Sequence, residues 1–330
     1  MPGPLTTNSP SSNGCAPRRT PKRAFERWPS GVPGTSKGGS VELGKTGVWF
    51  FTDRLTATDA AATAQRIEEL GYGALWIPET MGRNPFAHAA WLLAKTDRLI
   101  VATGIANIYH REPGVPVQAQ KPLAEQSDNR FLLGLGVSHK PLVEGLRGLS
   151  YGKPVATMRG YLEKMAVSPY TSIEPDETPP TVIAALGPKM LDLARDATDG
   201  AHPYFTSPAH TRIAREILGP DKWLCVEQKV VMETDPDKAR ALARATARTY
   251  QALPNYRNNW LRMGLSESDI SGEGSDAFID ATFAWGDGEA IRQRIDEHLE
   301  AGASHVCIQP VNREGQFGEV DWETLEELAP

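Results

Sequence analysis

From Lys45 onward, short apolar runs alternate with helical stretches almost without a break, and that alternation leaves this chain very few folds. TGVWFF (46–51) precedes TATDAAATAQRIEELG (56–71), where Thr and Asp suit a helix start and the closing glycine suits its stop. GALWIP (73–78) precedes a helix over 85–96, and RLIVATGIAN (98–107) has the continuous apolar character of a strand buried on both faces. A helix near 113–126 leads to a strand over 130–136, a helix over 151–165 to a strand over 181–186, and a helix over 188–197 to a strand over 199–205. A helix over 208–219, a strand over 224–233 and a helix over 236–253 come next. A mostly helical insertion then runs to a helix over 287–302, a strand over 304–311 and a last helix near 321–328.

Eight strands separated by helices imply parallel pairing, right-handed crossovers and helices on the outside. An open doubly wound sheet and a closed barrel both satisfy that pattern. The count of eight and a span over 45–330 favour the closed α/β form, the (β/α)8 TIM barrel, which typically takes about 250 residues. The extra length falls in a helical insertion over 254–285, between strands 7 and 8. No GxGxxG opens a first helix, and the GLG at 134–136 lies inside a strand, where small residues would let a flat ligand approach the backbone.

Of the 330 residues, 40% are hydrophobic and 23% charged, which suits a globular domain with a full core. A formal net charge of -6 argues against general binding to nucleic acid or an anionic membrane, since both need a clustered positive field. Cys15, Cys225 and Cys307 lie far apart and form no CxxC, so neither a disulfide framework nor a zinc site is indicated and a cytoplasmic location is expected. No apolar run reaches the ~20 residues of a membrane span. Residues 1–44, rich in Pro, Gly, Ser and Thr, read as a disordered extension; its RRTPKRAF is not followed by the apolar stretch of an export signal.

Barrel enzymes carry their chemistry at the C-terminal ends of the strands. Those ends read Thr52-Asp53, Glu79, Asn107 to His110, Ser138-His139, Gly187 to Lys189, His202 to Tyr204 and Gln309. His139 stands out because it follows directly on the glycine-bearing strand, whereas His110 and His202 read first as loop-capping partners. Glu79 reads equally as a helix cap and as a hydrogen-bond partner for a polar ring edge. In ALGPKM, a proline after glycine opens a helix whose first N–H groups and Lys189 suit an anion such as phosphate. No His, Asp or Glu pair has a metal-ligand spacing.

The fragments GVWFFTD, ELGYGALWIPE, ATGIANIY, RFLLGLGVSH, YGKP, ALGPKML, DGAHPYF, ALPNYRNN and HVCIQ together resemble the luciferase-like oxidoreductases, in the branch that uses the deazaflavin coenzyme F420. The likeness runs in order over residues 44–312. It implies an oxidoreductase whose deazaflavin ring lies across the strand ends, with its phosphate tail toward the loops after strands five and six. Glu79 and Asn107 would then flank the ring, Gly104 and His202 contact it, and Gly136, Val137 and Ser138 pass beside it. Gly187 and Lys189 would meet the phosphate, His139 would move the proton, and Trp49, Tyr109 and Tyr204 would line the substrate pocket. The same resemblance implies a non-prolyl cis peptide at or near Gly104–Ile105, a small-molecule substrate and a homodimer.

In one stretch the sequence departs from the family pattern. PGVPVQAQKPLAEQSDN (113–129) holds Pro122 where a regular helix is expected, and a proline inside a helix costs ~3 kcal/mol and kinks or shortens it. Two rivals stand beside the F420 reading: an FMN-dependent luciferase-like monooxygenase, and a barrel that carries a flavin, or has decayed, without catalysis. Tyr256, Arg257 and Asn258 of the insertion contact substrate or anchor the insertion.

Overall fold

The computed structural model describes residue 3, residues 41–312 and residues 318–330. The strands are β1 (Thr46–Trp49), β2 (Ala74–Ile77), β3 (Ile100–Thr103), β4 (Ala106–Asn107), β5 (Phe131–Gly136), β6 (Thr181–Ile183), β7 (Gly200–Ala201), β8 (Trp223–Met232), β9 (Phe283–Gly286) and β10 (His305–Pro310). The helices are α1 (Ala57–Glu69), α2 (Pro85–Leu93), α3 (Gly114–Glu125), α4 (Pro154–Ala166), α5 (Pro188–Ala197), α6 (Pro208–Leu218), α7 (Pro236–Gln251), α8 (Pro254–Arg262), α9 (Glu267–Ile270), α10 (Asp276–Thr282), α11 (Gly288–Glu300) and α12 (Trp322–Glu327). All pairings are parallel, and β10 joins both β1 and β8, so the sheet closes. With β3 and β4 counted as one interrupted strand and β9 set outside the ring, the barrel has eight staves. That is the expected (β/α)8 barrel.

Most of the expected extension, residues 1–40 apart from residue 3, lies outside the described residues, and so does Cys15. Its last residues are packed: Leu43 is buried and the Gly44 carbonyl accepts from His305 Nδ1 at 3.0 Å. Among the described residues no helix is long and apolar enough to cross a membrane.

The insertion between β8 and β10 differs from a purely helical one. Its FAWG segment is β9, paired with the outer half of β8 from Lys229 to Met232. Beneath it Phe205, Tyr256, Trp260, Phe278 and Phe283 form a separate apolar cluster, and Trp260 Nε1 donates to the Phe205 carbonyl at 3.2 Å. Pro122 does not shorten α3, which continues to Glu125. The proline stands in the last turn, where only one backbone bond is forfeited, and the buried Gln120 side chain ties the helix to the carbonyls of Pro179 and Pro180 at 2.9 Å each.

The third stave positions the site. Ala102 pairs with Leu132 and Ala106 with Leu135, so four steps on one strand oppose three on the other and the stave bulges. The Gly104–Ile105 peptide in this bulge is cis. The two glycines of GLG make room for the bulge itself: a Cβ on Gly134 would lie 1.9 Å from the Thr103 carbonyl oxygen, and one on Gly136 2.4 Å from Ile105 Cδ1. Clearance for a flat ligand is therefore not their first role. Ile105, pressed against Gly136, becomes part of the cavity wall.

Candidate functional site

A cavity of about 500 Å³ opens at the C-terminal ends of β5, β6 and β7, under α8. A larger surface groove of about 920 Å³ along α1 holds none of the strand-end histidines. Gly136, Val137, Ser138, His139, Gly187, Lys189, His202 and Tyr204 all line the smaller cavity, so most of the strand-end residues meet there. No Asp or Glu among the described residues does.

The chain leaves β5 through Ser138 at φ 55°, a left-handed conformation uncommon for serine, and this turn sets His139 at the cavity. His139 Nδ1 lies 3.1 Å from Asn255 Oδ1, which can only accept, so Nδ1 carries the hydrogen and Nε2 keeps its lone pair. Burial lowers the basicity of the imidazole below its ordinary 6.5, while the Asn255 bond pulls the other way. The ring is thus neutral at pH 7 and able to take a proton.

His202 lies deeper, 1% exposed, with its ring stacked on Trp76 at 4.3 Å. Nδ1 donates to the Cys225 carbonyl at 2.8 Å, and Nε2 has no partner. Burial first, then the charges of His305 and Lys229, hold this imidazole down to about 4. A buried acceptor without a donor is costly unless a ligand supplies one.

At the other end of the cavity the Met190 and Leu191 N–H groups both return to the Gly187 carbonyl, so the first turn of α5 offers an anion less than the sequence implied. Side chains supply the positive charge instead. Lys189 reaches the cavity from α5 and Arg262 from α8, and no carboxylate among the described residues pairs with either. Arg262 Nη2 donates to Asn259 Oδ1 at 3.2 Å and would sit 3.3 Å from a Cβ on Gly187.

Five expected site residues do not reach this cavity. Glu79 is locked in a buried network: the Asn107 N–H donates to it at 2.7 Å, Arg111 Nη1 at 2.8 Å and His110 Nδ1 at 2.9 Å. Burial pushes the Glu79 carboxyl up, but the bonds from Arg111, His110 and Asn107 outweigh it and hold it below the usual carboxylate range. Asn107 uses its side chain on His110 Nε2 and the Tyr109 N–H. Gly104 accepts from Trp49 Nε1 at 3.1 Å, which occupies Trp49 behind the bulge. Tyr109 lines a neighbouring depression of about 470 Å³ with Glu79 and stacks on Tyr151, whose side chain belongs to the lining of the main cavity. Tyr151, Asn255 and Arg262 line the cavity without having been singled out from sequence, and Ile105, expected only as part of the cis peptide, lines it with them. In the insertion Tyr256 and Asn258 face the cavity, while Arg257 binds Glu267 and Ser271 and so anchors its loop. Among the described residues no three His, Cys, Asp or Glu side chains converge as a metal site.

The model of one family, described as luciferase-like monooxygenase, matches residues 38–305. The chain belongs to that family. Named relatives of the chain are described as oxidoreductases. A putative coenzyme F420-dependent oxidoreductase of Mycobacterium tuberculosis is 27% identical over 228 residues, 56% of this chain and 65% of that protein, so the match spans just under two thirds of the relative. An F420-dependent secondary alcohol dehydrogenase, solved with an F420-acetone adduct, superimposes with a TM-score of 0.65 at 16% identity, covering 87% of this chain and 98% of the other. The oxygenating constituent of 3,6-diketocamphane monooxygenase from Pseudomonas putida, solved with FMN, gives 0.63 at 13% identity, covering 86% and 97%. At such identities the two structures speak for the fold alone.

Proposed function

We propose that this luciferase-like barrel is an F420-dependent oxidoreductase that moves a hydride between the deazaflavin and a small organic substrate. The observation that carries the reading is the make-up of the cavity, with two cations that no carboxylate among the described residues pairs at one end and two imidazoles at the other, His139 bonded through Nδ1 to Asn255 and His202 with its Nε2 unpartnered. The F420-dependent name of the mycobacterial relative supports the choice of cofactor.

The residues present suit such a group. Lys189 and Arg262 would hold the phosphate tail beside Gly187, and His202 Nε2 would accept from an N–H of the ring. When bound, F420 supplies a two-electron hydride carrier. The chain must then orient the substrate, exclude water and manage the proton. Val137, Val155, Leu186 and Tyr204 give the cavity its apolar lining, and His139 Nε2 takes or returns the proton of the reacting group.

Titration of the purified protein with F420, followed by quenching of its eight tryptophans, with FMN in parallel, tests this reading. F420 is expected to bind and FMN to bind far more weakly. Binding of FMN alone would move the protein to the monooxygenase reading, and binding of neither to the non-catalytic one. Replacing both Lys189 and Arg262 by Ala should weaken F420 at least about 10- to 100-fold, the worth of one to two charge-assisted contacts. An unchanged affinity would remove the phosphate role from these side chains.

His139→Ala is expected to leave F420 affinity nearly unchanged and to slow turnover about 10²- to 10⁴-fold, the usual contribution of a positioned acid or base. Since burial keeps His139 below 6.5, the wild-type rate in the direction that needs a base should fall only on the acid side of that value. An identical acid limb in the variant would show that another group moves the proton.

A further inference from the structure

The imidazole at the end of β5 is held from the insertion and not from the barrel. Two successive residues of α8 meet the His139 ring: Asn255 Oδ1 lies 3.1 Å from its Nδ1, and the Tyr256 ring stands 5.5 Å from it at 44°. His139 Nε2 has no hydrogen-bond partner among the described residues and, unlike Nε2 of His202, is not a buried atom. The opposite face of α8 is seated in the apolar cluster of the insertion. There Trp260 Nε1 donates to the Phe205 carbonyl at 3.2 Å, Tyr256 meets the Tyr250 ring edge-on at 5.3 Å, and Arg257 Nη2 donates to Ser271 Oγ at 3.1 Å. The place of Asn255 is thus fixed by contacts that His139 does not make.

We propose that Asn255 is a positioning residue that fixes the tautomer of His139, so that β5 supplies the base and the docked insertion sets which of its nitrogens does the work. The proposal deepens the F420 reading and rests on it for the reaction. A neutral imidazole can carry its hydrogen on either nitrogen, and only the Nδ1–H form leaves Nε2 bare for the proton of a substrate. An amide oxygen selects that form without adding a charge, whereas a carboxylate in its place would also raise the affinity of the ring for a second proton. The titratable groups that share the cavity with His139 are Tyr151, Tyr204, Tyr256, His202, Lys189 and Arg262, none of them an anion at pH 7. On its own loop Lys140 pairs with Glu144 at 3.7 Å. The amide of Asn255 is therefore the group that acts on Nδ1 directly.

The test labels histidine with 15N in the full chain and reads the His139 tautomer by long-range 1H–15N NMR, with His139→Ala identifying its signals. Three proteins are compared: wild type, Asn255→Ala and Asn255→Asp. Asn255 is an exposed residue, so neither change opens the core. At pH 8 the wild-type ring should be the Nδ1–H form, and Asn255→Ala should populate both tautomers. Asn255→Asp should keep Nδ1–H and raise the proton affinity of the ring about tenfold or more, the scale of an adjacent opposite charge. In turnover with F420 the acid limb of Asn255→Asp should move up by about one pH unit, since the base is then lost at higher pH. Asn255→Ala should lower kcat and leave KM nearly unchanged. A wild-type ring in the Nε2–H form, or an Asn255→Ala ring with the wild-type tautomer and titration, overturns the proposal. Because the tautomer is read on cofactor-free protein, failure of wild type to bind F420 would strike the functional reading and leave the His139 result standing.

Discussion

Taking this protein from pH 7 to pH 4 is expected to unfold it cooperatively, because four histidines are buried and held well below their ordinary basicity, and a fifth, His210, is buried and shifted the same way. Burial holds His88, His202 and His305 down to about 4 and His298 to about 3, against an ordinary 6.5. The geometry says why a second proton is resisted. His305 Nδ1 donates to Gly44 and its Nε2 accepts from Trp76 Nε1 at 3.1 Å, so a protonated ring would set two N–H groups against each other. His298 lies between Gln228 Oε1 at 2.9 Å and the Thr211 hydroxyl at 2.8 Å, 0% exposed.

The direction follows from proton linkage. Between 6.5 and about 4 the unfolded chain holds protons that the folded one refuses, so stability is complete above 6.5 and falls with pH below it. One such histidine withdraws about 1.4 kcal/mol per pH unit and four withdraw about 5–6, against a total stability of about 5–15 kcal/mol. Thermal melts from pH 8 to 4 should show a flat Tm above about 6.5 and a steep loss below about 6. His305→Gln, which retains an N–H for Gly44 and an oxygen for Trp76, should flatten that slope by about a quarter. A Tm that holds steady down to pH 5 would mean that these rings find room for a second proton.

The barrel was legible in sequence because each stave is a short apolar run and each crossover a helical pattern with its own caps, and local rules read both. The four residues of β9 were not, because FAWG is too short to differ from an apolar turn of helix and becomes a strand only through the outer half of β8. His139, Lys189 and Tyr204 could be placed on the cavity because a strand-end position survives any detail of packing. Glu79 and Asn107 went elsewhere because their partners, Arg111 and His110, come to them only through the bulge and the turn after it. Arg262 carried one readable signal. In NYRNNWLR, Asn255, Asn258 and Arg262 recur at helical spacing opposite Tyr256 and Trp260, so one face of α8 is polar while the other is buried. What that polar face meets depends on where the insertion docks, and no local rule supplies that.

Arg111→Met is expected to destabilise the protein by about 3–5 kcal/mol, or about 10 °C in Tm, the scale for leaving one half of a buried ion pair alone. The Arg111 and Glu79 side chains are 5% and 7% exposed, and Arg111 also donates to the Asn107 carbonyl at 3.2 Å and stands 4.8 Å over the Phe86 ring. Methionine keeps the contact with Phe86 and removes the charge, so the loss falls on Glu79. Glu79→Gln/Arg111→Met should recover most of the stability, since no charge then remains buried without a partner. The consequence for the site separates this pair from an ordinary structural bridge. Glu79 holds Asn107 at the end of the bulge, and its own N–H reaches the Ile105 carbonyl at 3.3 Å, which steadies the residue that walls the cavity. The double variant should therefore regain stability and still bind F420 more weakly, because neutral side chains restore the charge balance without the geometry of the bidentate pair. Full recovery of binding together with stability would show that the cavity wall does not depend on the Glu79–Arg111 pair.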